Sequence, residues 1–80
     1  MKVAIFGLGY VGFTAMCCIA SEGHSVIGFD VSGQKVDKIN RGVAPFSEPG
    51  IQELLTEVKD AGRVSAFTDI GDRLADVDLA

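Results

Sequence analysis

Gly7-Leu8-Gly9-Tyr10-Val11-Gly12 follows the apolar run Val3-Ala4-Ile5-Phe6, and an acid, Asp30, closes the next apolar run. Glycines at this spacing, between a strand and a helix, provide the steric conditions for holding a pyrophosphate. Gly7 permits a tight turn out of the strand, Gly9 lets the backbone approach phosphate with no Cβ in the way, and Gly12 lets the helix lie close to the sheet. The amides of Tyr10 and Val11 open the helix, lack acceptors within it and can point at phosphate oxygens. G-x-G-x-x-G by itself is common. The strand before it, the helix after it and an acid about 20 residues on make it a dinucleotide-binding βαβ unit. The alternative is a glycine-rich turn with no ligand.

Asp30, at the carboxyl end of the second strand, can accept hydrogen bonds from the hydroxyls of an adenosine ribose. The same carboxylate selects against a 2′-phosphate. Two unit charges about 4 Å apart repel by about 4 kcal/mol at an effective dielectric of about 20, against about 1 kcal/mol for a typical neutral hydrogen bond. NAD is therefore the expected cofactor, unless Asp30 only caps the turn before Ser32. Lys35, on the first turn of the next helix, is near enough to reach the same ribose, although on spacing alone a solvated lysine is the commoner outcome. His24 lies at a helix-to-strand turn, away from the expected crevice, and reads as a surface or capping residue. Cys17 and Cys18 are neighbours within a helix and offer no C-x-x-C spacing, so both read as small helix residues, with no metal site.

The elements that must position these groups are legible as alternating strands and helices. Lys2–Phe6 is a continuous apolar run ending in Gly7, the pattern of a strand buried on both faces of a parallel sheet, and Ser25–Phe29 and Val64–Phe67 are the expected second and third strands. Val11, Ala15, Cys18 and Ile19 fit the i, i+4, i+7, i+8 template of an amphipathic helix ending near Gly23. Ser32 is the expected N-cap of a second helix carrying Val36 and Ile39. Gly42–Gly50 is a loop, and Pro49 suits the first turn of a third helix bearing Ile51, Leu54, Leu55 and Val58 and ended by Gly62. Thr68 or Asp69 could cap one more short helix with Ile70 and Leu74 facing inward, ahead of a strand at Val77. The order implies an α/β fold, a Rossmann-type doubly wound parallel sheet with helices on both faces and the ligand crevice at the strands' carboxyl ends.

Bulk properties narrow the function classes. A net charge of −4 without clustered Lys and Arg argues against nucleic acid, whereas a pyrophosphate held by backbone amides needs no basic surface. No apolar stretch approaches the roughly 20 residues that span a bilayer, and Met1-Lys2 leads straight into a core strand, so a cytoplasmic location is expected. A complete domain of this type has about six strands. Residues 1–80 are accordingly expected to be a partial NAD-binding domain ending within a strand at Val77–Ala80.

Phe6-Gly7-Leu8-Gly9-Tyr10-Val11-Gly12, Gly23-His24-Ser25-Val26-Ile27-Gly28-Phe29-Asp30, Lys35-Val36-Asp37-Lys38-Ile39-Asn40 and Glu48-Pro49-Gly50-Ile51 resemble the start of the UDP-glucose/GDP-mannose dehydrogenase family. The combination of G-x-G-Y-V-G with a later E-P-G carries the resemblance, and Gly62-Arg63-Val64 and Thr68-Asp69 extend it. It implies a cytoplasmic, homo-oligomeric oxidoreductase of polysaccharide biosynthesis that oxidises the C6 hydroxyl of a nucleotide sugar to a carboxylate with two NAD. It further implies cofactor binding by Gly7, Gly9, Tyr10, Val11 and Gly12, with Asp30 and Lys35 at the adenosine ribose. The catalytic residues and the nucleotide-sugar contacts belong to family segments beyond Ala80, so no catalytic residue is expected here. Phe6-Gly7-Leu8 and Asp30-Val31-Ser32 lean toward the GDP-mannose branch. The competing readings are a β-hydroxyacid-type dehydrogenase, which has no reason to carry Glu48-Pro49-Gly50, and a non-enzymatic dinucleotide-sensing domain of a transporter.

Overall fold

Each of the three expected strands forms in the computed structural model, which describes residues 1–79. The strands are β1 (Lys2–Phe6), β2 (Ser25–Phe29) and β3 (Val64–Phe67), and the helices are α1 (Tyr10–Ser21), α2 (Gly33–Asn40) and α3 (Ile51–Asp60). The sheet is parallel, in the order β1-β2-β3, with Lys2 opposite Ser25 and Val26 opposite Val64. On the edge of β1 away from β2, Val3 bridges Leu79 in parallel, and the Ala4 amide donates to the Leu79 carbonyl at 2.8 Å. The expected strand at Val77 is thus a single bridge at Leu79; Ala80, its last residue, lies outside the described residues.

The expectation of helices on both faces is not met among the described residues. Val3, Val26, Val64 and Ala66 share one core with Phe13 of α1, Ile39 of α2 and Leu55 of α3, so all three helices cover the same face. Right-handed crossovers that step in one direction, from β1 to β2 to β3, return to the same side each time. The opposite face, with Ala4, Ile27, Phe29 and Phe67, is covered by Leu74 and Val77 of the segment after β3. That segment is not the short helix expected after Thr68 or Asp69. It is a series of turns closed by i→i+3 bonds such as Arg73 N–H to Ile70 C=O, with Gly71 at φ +51 and Ile70 exposed rather than facing inward.

Helix α1 also buries a different stripe from the expected one. Phe13, Met16, Cys17 and Ala20 face the sheet, whereas Val11 and Cys18 are exposed. The helix is apolar nearly all round, so two stripes fit the same period and the sheet selects the bulkier one. Helices α2 and α3 bury Val36 and Ile39, and Ile51, Leu55 and Val58, as their periodicity requires. Ser32 Oγ accepts from the Lys35 amide as the N-cap of α2. Gly50, not Pro49, precedes α3, so Pro49 lies just outside its first turn. The Asn40 side chain pairs with both the N–H and the C=O of Ala66, at 3.0 and 2.8 Å, and so occupies the edge of β3 that faces away from β2.

Candidate functional site

The carboxyl ends of the three strands meet the start of α1, and the link is made by backbone geometry. Gly7 leaves β1 at φ +90, a conformation that a side chain would strain, and its amide donates to the Phe29 carbonyl at 2.8 Å. A Cβ on Gly12 would stand 2.0 Å from the Gly7 carbonyl oxygen, so α1 lies against the turn as closely as it does because that Cβ is missing. Gly9 is different. It has ordinary extended angles, and a Cβ there would meet nothing within 4 Å. No protein contact requires glycine at this position, and the open space lies before the first amides of α1. Gly9 offers no side-chain cap, and the first i→i−4 bond is from Phe13 N–H to Gly9 C=O, so the N–H groups of Tyr10, Val11 and Gly12 precede the helical ladder.

Asp30 ties this turn to the end of β2. Its Oδ2 accepts from the Leu8 amide at 2.7 Å and its Oδ1 from the Ser32 amide at 2.8 Å. The turn-capping alternative is therefore real but incomplete, since the same carboxylate also clasps the glycine turn. Lys35 Nζ stands 3.6 Å from Asp30 Oδ2. The Ser32 and Leu8 amides, with the Lys35 ammonium, hold the Asp30 carboxyl below its usual range against the opposing effect of burial. It is an anion with lone pairs still available, held rigidly at the mouth of a cleft. That cleft, of about 330 Å³, lies between the strand ends and is lined by Phe6, Phe29, Val31, Thr68 and Ile70 as well as Gly7 and Asp30. Phe6 stacks on Phe29 with centroids 5.3 Å apart, which gives it a flat apolar wall.

The turn residues, Asp30 and Lys35 thus converge on one side of the molecule, and the arrangement fits a dinucleotide: exposed helix amides, an open gap at Gly9, a fixed carboxylate and an apolar slot. A family model described as UDP-glucose/GDP-mannose dehydrogenase family, NAD binding domain, matches residues 1–80. The chain belongs to this family. It is 45% identical over 80 residues to a GDP-mannose 6-dehydrogenase of Pseudomonas aeruginosa, covering all of this chain and 18% of that protein. It is 32% identical over 79 residues to a UDP-glucose 6-dehydrogenase of Bacillus subtilis, covering 99% of this chain and 18% of the relative. The solved ternary complex of the P. aeruginosa GDP-mannose dehydrogenase superposes with a TM-score of 0.92 at 43% identity, over 100% of this chain and 19% of that one. The chain therefore spans less than a fifth of the relatives it matches, and the family model that it matches is that of the NAD-binding domain.

Two residues given no role by the sequence reading complete the site. Leu8, fully buried, gives Asp30 its shortest amide bond, and Phe46, from the α2–α3 loop, packs beside Tyr10 and Lys35. Neither carries a periodic or motif signal of its own. His24 precedes β2 at the other end of the sheet from the cleft. Burial, then the neighbouring Cys18, pushes the Cys17 thiol up to about 11, so it is protonated at neutral pH. Among the described residues no group of three or more His, Cys, Asp or Glu could hold a metal, and no helix is long and apolar enough to cross a membrane.

Proposed function

We propose that this chain forms the NAD-binding start of a nucleotide-sugar 6-dehydrogenase that oxidises the C6 hydroxyl of GDP-mannose or UDP-glucose to a carboxylate with two NAD. The observation that carries the site reading is the open gap at Gly9 in front of the unpaired α1 amides, within reach of the rigid Asp30 carboxylate. Gly7, Gly9 and Gly12 shape the turn, the amides of Tyr10 and Val11 receive the pyrophosphate, and Asp30 and Lys35 receive the adenosine ribose. The apolar slot beside Phe6, Val31 and Ile70 fits an adenine ring. Bound NAD supplies the hydride acceptor. The residues of this chain hold its adenosine end and contribute no acid, base or nucleophile.

GDP-mannose is favoured as substrate, because the GDP-mannose 6-dehydrogenases share 45% and 41% of this sequence against 32% for the UDP-glucose enzyme. The sugar is bound by segments outside this chain, in a cytoplasmic homo-oligomer of polysaccharide biosynthesis that takes neither nucleic acid nor membrane as partner. Titration of the complete polypeptide with NAD and NADP tests the cofactor reading: NAD should bind at least about tenfold more tightly, as the repulsion of a 2′-phosphate by Asp30 requires. Equal or tighter NADP binding overturns it. Turnover should release two NADH per GDP-mannose, and failure to oxidise either nucleotide sugar would overturn the substrate reading.

A further inference from the structure

The loop between α2 and α3 brings the ring of Phe46 to the proposed cofactor site. Phe46 meets Tyr10 edge-on at 6.1 Å and 88°, contacts Phe13 at 6.0 Å, and lies 5.6 Å from Lys35 Nζ. It therefore touches both the turn assigned to the pyrophosphate and the lysine assigned to the ribose. Lys35 needs such a support. Its 3.6 Å distance to Asp30 Oδ2 is longer than the about 2.7–2.9 Å of a charge-assisted hydrogen bond, and a four-carbon stem held by a loose ion pair is free to swing into water. Yet its side chain is only 26% exposed. An ammonium within about 6 Å of a ring centroid is attracted by the ring's quadrupole, which accounts for the placement.

The ring is itself fixed from two sides. Gln52 Oε1 accepts from the Ala44 amide, and its Nε2 donates to the Gly42 carbonyl, each at 2.8 Å, which staples the loop to α3 just ahead of Pro45-Phe46. Phe13, fully buried in the core, supports the ring from α1. We propose that Phe46 is a positioning residue of the cofactor site: its ring holds the Lys35 ammonium beside Asp30 and so sets the pair that receives the adenosine ribose. The proposal rests on the assignment of Asp30 and Lys35 to the ribose.

The test is NAD affinity of the complete polypeptide, measured calorimetrically, for Phe46→Leu and Phe46→Trp in the parent and in a Lys35→Met background, with Asp30→Ala alongside. Leucine keeps an apolar side chain but removes the quadrupole, so Phe46→Leu should weaken NAD about two- to fivefold, and Phe46→Trp should tighten binding. With Lys35→Met the effect of Phe46→Leu should shrink to less than about 1.5-fold, a coupling that simple loss of packing would not produce. Unchanged affinity in Phe46→Leu overturns the proposal. So does an equal loss in both backgrounds, which would give the ring a packing role against Tyr10. Should Phe46→Leu fail to fold, Phe46→Trp reads the same coupling, because its stronger ring face should tighten binding only where Lys35 is present; an effect independent of Lys35, or no effect, overturns the proposal. If Asp30→Ala leaves NAD affinity untouched, the site assignment itself fails; if Asp30→Ala weakens binding and the Phe46 variants do not, only the role of Phe46 fails.

Discussion

Replacing Gly9 by serine should move stability and cofactor affinity in opposite directions. Gly9 is the N-cap of α1, with φ −67 and ψ −171, angles that any residue adopts, and a Cβ there meets nothing within 4 Å. Serine is among the best N-caps, because its hydroxyl accepts from the second or third amide of the helix, here Val11 or Gly12. The fold should gain a few tenths of a kcal/mol, about 0.3. The same hydroxyl competes for an amide of the turn proposed as the phosphate site, and the new side chain fills the open gap in front of it. Losing one hydrogen bond to a charged group corresponds to about 1.5–3 kcal/mol, or about a ten- to hundredfold weaker NAD complex. Urea unfolding and NAD calorimetry on the complete polypeptide measure both sides. Unchanged affinity would refute the turn as the phosphate site, and a drop in stability would show that the fold itself requires glycine there.

Gly12→Ala should behave in the opposite way to Gly9→Ser, since its Cβ would stand 2.0 Å from the Gly7 oxygen: α1 must retreat by about 1 Å, at about 1–3 kcal/mol of stability, read by urea unfolding, and an unchanged midpoint would contradict the close approach. Asp30 has its carboxyl held below the ordinary 3.8, so its contribution to stability is present above that value and is lost as pH falls through the lower folded one. Asp30→Asn should therefore flatten the acid limb of a stability-against-pH curve below about pH 4, and a limb of unchanged slope would show that Asp30 does not set it. Asn40→Ala removes both hydrogen bonds to Ala66 and should cost about 1–3 kcal/mol while speeding hydrogen exchange at the Ala66 amide; unaltered exchange would mean that water replaces the side chain without loss.

Where one local signal decides, sequence and structure agree residue by residue. The three strands end where glycine or a turn interrupts an apolar run, and Ser32 caps α2 because its hydroxyl lies within one turn of the amide it accepts from. Where two local solutions compete, they diverge. Val11 and Cys18 are as apolar as the face of α1 that is buried, and only the sheet beneath determines that Phe13, Met16, Cys17 and Ala20 face inward. Ile70 and Leu74 have helical spacing, but Gly71 adopts a positive φ and Arg73 lies 3.9 Å over the Phe67 ring while pairing with Asp69, so the segment closes as turns.

The amino-acid sequence by itself pointed to the class of site: the glycine spacing and the acid after β2 are local, and each follows from what a side chain or its absence permits at one point of the backbone, while the E-P-G motif contributed only the family resemblance. Tertiary structure alone decided how the site is held. Leu8 and Asp30 are 22 positions apart, and Phe46 comes from a loop without periodicity, so their meeting depends on how β1, β2 and α1 pack. A hydrogen bond or ring contact between distant segments leaves no mark on either segment's own pattern. It exists only once the parallel register brings Phe6 level with Phe29 and sets the glycine turn beside the carboxylate.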